Sequence, residues 1–240
     1  MKLIIKKDGD EIAKQLAKWL ADHINQKLKE QDRFTFVLSG GNTPKKLYQL
    51  LATEPYNNEI DWSRIHFFWG DERYVPFTDV DNNAKMVFDN LLNHVPVIKE
   101  NIHIIRTDIP AEAAANEYEV LLHHYFPDKN NTFDLVLLGI GDNAHTLSLF
   151  PGYEQIHEKE KWVSSFYLEE QKMIRITLTA PVVNAAACVI FLVEGSNKAA
   201  AVFHILEDEY NPNSYPAQII QPFKSELQWW IDEGAAADLN

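Results

Sequence analysis

Short β-rich runs alternate with amphipathic helical segments along nearly the whole chain, and this alternation limits the possible folds more than any other feature. Parallel strands need long crossovers, usually helical, so strand-helix-strand order points to a mostly parallel sheet. Strand candidates lie at Phe34 to Leu38, Ile65 to Trp69, Ile102 to Ile105, Phe133 to Leu138, Val163 to Tyr167, Ile174 to Leu178 and Cys188 to Val193. Several are almost wholly apolar, as strands covered on both faces are. In the first helix Ile12, Leu16, Leu20, Ile24 and Leu28 recur every four residues, with Lys14, Lys18, Asp22 and Lys29 elsewhere on the cylinder. Further helical patterns, at about 44–52, 82–93, 111–125, 182–186, 196–207 and 226–238, usually open on Ser, Thr, Asp or Asn. The expected fold is α/β: a three-layer α/β/α Rossmann-like domain with a mostly parallel sheet, spanning residues 1–240 as one domain.

Hydrophobic residues make up 46 % of the chain, enough for a sizeable core. The formal net charge of −13 leaves no basic field to draw nucleic acid or an anionic membrane surface. A small anion still binds where a few cations and backbone N–H groups converge, so the expected partner is a small molecule. The single cysteine, Cys188, lies in an apolar run and reads as a buried hydrophobe without a disulfide partner. Nothing at the start resembles a signal peptide and no run approaches membrane-spanning length, so the expected location is cytoplasmic. Oligomeric state is not legible.

In such folds ligands bind beyond the carboxyl ends of the strands, which directs attention to four post-strand loops. The first is Ser39-Gly40-Gly41-Asn42-Thr43-Pro44, a glycine turn into a helix, with Thr43 as cap and Pro44 at the first helical position. Glycines let the backbone approach a ligand, and a helix start offers N–H groups and partial positive charge to phosphate. An ordinary tight turn accounts for it equally well. The second is Gly70-Asp71-Glu72-Arg73, where Arg73 offers a fork for anionic oxygens, while Asp71 and Glu72 either bind sugar hydroxyls or hold Arg73 in place.

The third, Gly139-Ile140-Gly141-Asp142-Asn143-Ala144-His145-Thr146, carries a histidine to the strand-end cleft beside polar neighbours able to fix its tautomer. The chain has nine histidines, most of them on helices, and a lone one is usually structural. Ser148 lies outside any Gly-x-Ser-x-Gly elbow, which discounts a serine hydrolase. The fourth, Glu194-Gly195-Ser196-Asn197-Lys198, puts a cation in a first helical turn, against the dipole; alone, Lys198 reads as accidental. Arg175 interrupts an apolar alternation and, if buried, needs an anionic partner, which would turn it toward the pocket. No residues have metal-ligand spacing, so no metal is expected.

Taken together and in order, Leu38-Ser39-Gly40-Gly41-Asn42-Thr43-Pro44, Gly70-Asp71-Glu72-Arg73-Tyr74-Val75-Pro76, Leu138-Gly139-Ile140-Gly141 through His145-Thr146-Leu147-Ser148-Leu149-Phe150-Pro151-Gly152, Arg175-Ile176-Thr177-Leu178-Thr179, Gly195-Ser196-Asn197-Lys198-Ala199 and Tyr215-Pro216-Ala217 resemble the 6-phosphogluconolactonases, relatives of glucosamine-6-phosphate deaminase. The resemblance implies hydrolysis of 6-phospho-D-glucono-1,5-lactone to 6-phosphogluconate in the oxidative pentose phosphate pathway, without metal or organic cofactor. It implies that Ser39, Gly40, Gly41, Asn42, Thr43, Arg73 and Lys198 hold the phosphate and that His145 activates water. Arg73, where deaminases carry Tyr, and Ser148-Leu149-Phe150-Pro151, where they carry an Asn-Glu-Pro segment, favour the lactonase side.

One position departs from the resemblance: Asn143 and Ala144 stand where the family's Gly-x-Gly-x-Asp-Gly-His pattern has Asp and Gly. A carboxylate would raise the basicity of the imidazole, whereas Asn only orients it. Either Asp142 swings in, or the base works with less help, or activity is reduced. The alternatives are an aldose-ketose isomerase or deaminase using Asp71 and Glu72, and a sugar-phosphate sensor that binds without turnover.

Overall fold

The computed structural model describes residues 1–222 and 225–240. Its elements, in chain order, are β1 (Lys2–Lys6), α1 (Gly9–Lys27), β2 (Phe34–Leu38), α2 (Asn42–Leu51), α3 (Tyr56–Glu59), β3 (Ile65–Trp69), β4 (Asp71–Arg73), α4 (Asn83–Val87), β5 (Ile102–His103), α5 (Ala111–Tyr125), β6 (Leu135–Leu138), β7 (Val163–Leu168), β8 (Met173–Leu178), α6 (Ala180–Asn184), β9 (Cys188–Val193), α7 (Ala199–Leu206) and β10 (Glu226–Asp232). Seven strands form one parallel sheet in the order β1-β10-β9-β6-β2-β3-β5. A second sheet, β4-β8-β7, is antiparallel.

Side chains alternate across the large sheet, and the two faces take different helices. Phe34 meets His23 of α1 edge-on, and Trp69 stacks on Phe88 just after α4. On the opposite face Phe68 packs against Tyr125 and Phe126 at the end of α5. Helices thus cover both faces, as the three-layer expectation requires. Among the described residues no helix is long and apolar enough to cross a membrane. Cys188 is buried in β9, and the apolar surroundings push its thiol up to about 12.

The expected helix at 226–238 is instead β10. Leu227, Trp230 and Ile231 read as one helical stripe while Leu227, Trp229 and Ile231 read as strand alternation, and pairing with β1 on one side and β9 on the other places the run inside the sheet. Its second partner, Lys2–Lys6, is a strand with no counterpart among the sequence expectations. Val163–Leu168 and Met173–Leu178 are strands as expected, but of the small sheet. The expected strand at Ile102 to Ile105 is only two residues long.

Between β3, β5 and α5, the Tyr125 hydroxyl lies 3.0 Å from His66 Nδ1 and 2.8 Å from His103 Nε2. The Arg33 guanidinium sits 4.8 Å from the Tyr125 ring centre. Burial lowers both histidines, His103 to about 4, and Arg33 pushes the same way. Between about pH 4 and 6.5 the unfolded chain therefore binds more protons, so this stability is complete above pH 6.5 and lost on acidification. His103→Gln is expected to recover about 1 kcal/mol of the loss at pH 5, allowing for partial exposure, as read from thermal melts at pH 5 and 7.

Candidate active site

The sheet order reverses at β2: the chain moves from β2 to β3 and β5 on one side, then returns to β6, β9 and β10 on the other. The loops after β2 and β6 consequently emerge side by side, with the loop after β9 next in line. β3 runs through Gly70 into β4, so the small sheet stands at this same carboxyl edge. Four loops distant in sequence therefore share one cleft.

Two buried tyrosines hold the strand ends. The Tyr48 hydroxyl, from α2, accepts from the Ser39 N–H at 3.0 Å and donates to the Ser39 carbonyl at 2.9 Å. Tyr118, from α5, makes the same clamp on Trp69 at 2.8 and 3.2 Å. Gly41, at φ +100°, turns the chain into α2, a backbone state that side chains disfavour. The helix starts at Asn42, so neither Thr43 as cap nor Pro44 at the first position holds. Among the described residues no side chain caps it. Its first N–H groups are thereby left for an anion.

His145 sits in a turn closed by the Gly141 N–H donating to the His145 carbonyl at 2.8 Å and the Ala144 N–H donating to the Gly141 carbonyl at 3.0 Å. Ala144 adopts φ +60°, a left-handed state at the position where the family pattern has Gly. The closing segment contributes here: the Ala217 N–H donates to the Ala144 carbonyl at 3.0 Å. His145 Nδ1 lies 2.5 Å from Asn143 Oδ1, which also accepts from the His145 N–H at 3.3 Å. Both contacts fall on the amide oxygen, so Nδ1 carries the proton and Nε2 is the free base. The ring stacks on Phe150, centres 4.0 Å apart. Burial pushes its pKa down to about 4, with Asp71 opposing that shift and Arg175, Lys198 and Arg73 adding to it.

A Cβ added at Gly141 would run into the His145 ring. Gly141→Ala is therefore expected to cut kcat at least tenfold through displaced geometry, with the melting temperature changed by only a few degrees. A variant with full turnover would show that the ring position is not critical.

Arg73 and Arg175 face each other directly across the β4–β8 ladder. Arg73 donates to the Asp81 carbonyl at 3.1 Å, and Arg175 to Gln171. The Nε of each is buried without a partner. Among the described residues neither forms an ion pair with a carboxylate. Lys198 is paired with Asp142, which also accepts from Asn197 at 3.0 Å. Asp142 has thus turned to the lysine, and Asn143 is the group on the histidine.

Glu72 is fully buried. Its carboxylate accepts from the backbone N–H groups of Arg73, Asn83 and Ala84 at 2.8, 2.7 and 2.9 Å. Of its two expected roles only the second survives: it fixes the backbone at Arg73 and is sealed from sugar hydroxyls. Asp71 remains half-exposed and accepts from the Ser148 hydroxyl at 2.7 Å. Phe150, Gln171, Asn83 and Ser148 belong to the same constellation without having been singled out as site residues; only their neighbourhood to motif segments marked them. Among the described residues no three His, Cys, Asp or Glu side chains gather as metal ligands would.

A parallel sheet with a glycine-lined helix start, three cations and a neutral histidine at one switch point defines a sugar-phosphate type of α/β enzyme. The family model described as glucosamine-6-phosphate isomerases/6-phosphogluconolactonase matches residues 7–229, and the chain belongs to that family. A 6-phosphogluconolactonase of Nostoc sp. is 40 % identical over 218 residues, covering 89 % of this chain and 88 % of the relative. The chloroplastic 6-phosphogluconolactonase 3 of Arabidopsis thaliana is 40 % identical over 238 residues, covering 93 % and 71 %. The structure of 6-phosphogluconolactonase from Trypanosoma brucei superposes with a TM-score of 0.88 at 26 % identity, covering 100 % and 98 % of the two chains.

Proposed function

We propose that this chain hydrolyses 6-phospho-D-glucono-1,5-lactone to 6-phosphogluconate, a cytoplasmic step of the oxidative pentose phosphate pathway. The observation that carries the proposal is the facing pair Arg73 and Arg175, with unsatisfied Nε atoms, beside a histidine whose Nε2 is free. Two guanidiniums without carboxylate partners suit a dianionic phosphate, with Lys198 and the open start of α2 completing its cradle. The remote phosphate then orients the reacting carbonyl, so binding energy is used at a distance from the bond that breaks. His145 takes a proton from water through Nε2 as the oxygen attacks C1, and Asn143 keeps the opposite nitrogen protonated. N–H groups of the Gly139 to Asn143 stretch, other than that of Gly141, which is already bonded, stabilise the developing oxyanion. The imidazolium returns its proton to the ring oxygen as the C1–O5 bond opens.

The deaminase or isomerase alternative draws less support, because Glu72 is withdrawn into the fold and only Asp71 is left as a carboxylate base. The test is acid release from freshly made lactone above the spontaneous rate, run beside ammonia release from glucosamine 6-phosphate. Ammonia alone would reassign the reaction, and tight phosphate-sugar binding without either product would mark a sensor.

A further inference from the structure

Asn143 holds the histidine but brings no charge to it. The imidazolium formed during turnover would stand among Arg73 on β4, Arg175 on β8 and Lys198 before α7, all cationic. Two carboxylates lie near this group. Asp142, on the histidine's own loop, is mostly exposed and held by Lys198 and Asn197, so its charge is shared with the lysine. Asp71 is different. Its backbone is fixed by the pairing of Asp71 with Thr177 and by the Asn83 amide, which donates to its carbonyl at 2.9 Å. Its carboxylate accepts from Ser148, a fully buried residue three positions beyond His145, whose own N–H is held by Thr177 at 3.1 Å. One strand pair thus anchors both the carboxylate and the end of the histidine's loop.

We infer that Asp71, pinned by Ser148, is a positioning residue whose carboxylate serves as the fixed counter-charge to the His145 imidazolium, the part that the uncharged Asn143 cannot play. This rests on the lactonase reading for its catalytic consequence, but the charge coupling itself is independent of substrate. Asp71 is the leading favourable charge at His145 and also at Arg175. Glu72 and Asp81 also act on Arg175, and Asp142 also acts on the ring but is taken up by Lys198, so Asp71 is the carboxylate left for a protonated ring. It acts across space on the ring and on Arg175, and as an anion it opposes the phosphate, so its loss weighs on kcat and leaves KM level or lower.

The experiment is an NMR titration of His145 in the substrate-free protein, with kinetics on the fresh lactone. Asp71→Asn, which keeps the shape and a partner for Ser148, is expected to move the His145 midpoint further below its already low position. It is also expected to lower kcat by roughly three- to tenfold while KM stays level or falls. Ser148→Ala, which frees the carboxylate, gives a smaller change in the same sense. Asn143→Asp in the Asp71→Asn background restores the midpoint and part of kcat. An unmoved His145 midpoint in Asp71→Asn overturns the inference, as does a raised KM with unchanged kcat, which would make Asp71 a sugar ligand. If the wild-type chain hydrolyses no lactone, the proposed reaction fails, while the titration still judges the coupling.

Discussion

Replacing His145 by alanine is expected to lower turnover of the phosphorylated lactone by about 10²- to 10⁴-fold, the usual worth of a positioned general base. Affinity for inorganic phosphate should change little, because the groups proposed to hold it lie on β4, β8, the α2 start and the turn before α7. The pH dependence gives a second reading of the same residue. Burial and three neighbouring cations push its imidazole down to about 4, so the ring is already neutral well below pH 6. Activity of the wild-type chain is therefore expected to stay level from neutrality toward pH 5, within the range where the fold survives acidification. The phosphate ester itself gains a proton at about pH 6, so the reading is kcat at saturating lactone. A limb there near the ordinary histidine value of about 6.5, persisting with the unphosphorylated lactone, would contradict this. The same low basicity makes each proton transfer less favourable, which is why a counter-charge such as Asp71 matters. His145→Ala turning over at the wild-type rate would remove the base from the mechanism.

What the sequence made legible follows from which interactions are local. β2, β3, β6 and β9 are apolar runs buried on both faces, and periodicity suffices to find them. The two strands from the chain ends are different. β1 is a five-residue strand with exposed Leu3 and Ile5, and β10 is a run whose helical and extended patterns coincide; only pairing between chain ends decides either. The small sheet was hidden for a related reason. β4 is three charged residues, Asp71-Glu72-Arg73, and no local propensity marks them as strand; they are held by β8, a hundred residues later. That pairing also decides the site. It sends Glu72 inward to three backbone donors while leaving Asp71 and Arg73 toward the cleft, a split that adjacent charges in sequence do not announce. Arg175 was legible as an anomaly, a guanidinium in an apolar alternation, but its partner across the ladder was not.

That partner makes Arg73 and Arg175 the pair on which the largest loss of substrate affinity should fall. Like charges directly opposite on antiparallel strands destabilise a sheet, by roughly 0.2–1 kcal/mol when exposed, and Arg175 here is only 4 % exposed. Among the described residues no carboxylate ion pair offsets this, so the arrangement is costly until an anion arrives. A double Arg73→Met/Arg175→Met variant is therefore expected to melt at or above the wild-type temperature in phosphate-free buffer. The same variant should lose the rise in melting temperature that added phosphate gives the wild type, since a ligand stabilises only the form that binds it. Each charge-assisted hydrogen bond is worth about 1.5–3 kcal/mol, so losing two should lower kcat/KM on the phosphorylated lactone by roughly 10²- to 10⁴-fold. The far slower hydrolysis of the unphosphorylated lactone should change much less, because it never used the pair. If the apo variant were strongly destabilised while phosphate still raised its melting temperature, the two arginines would be structural and the anion would be held elsewhere.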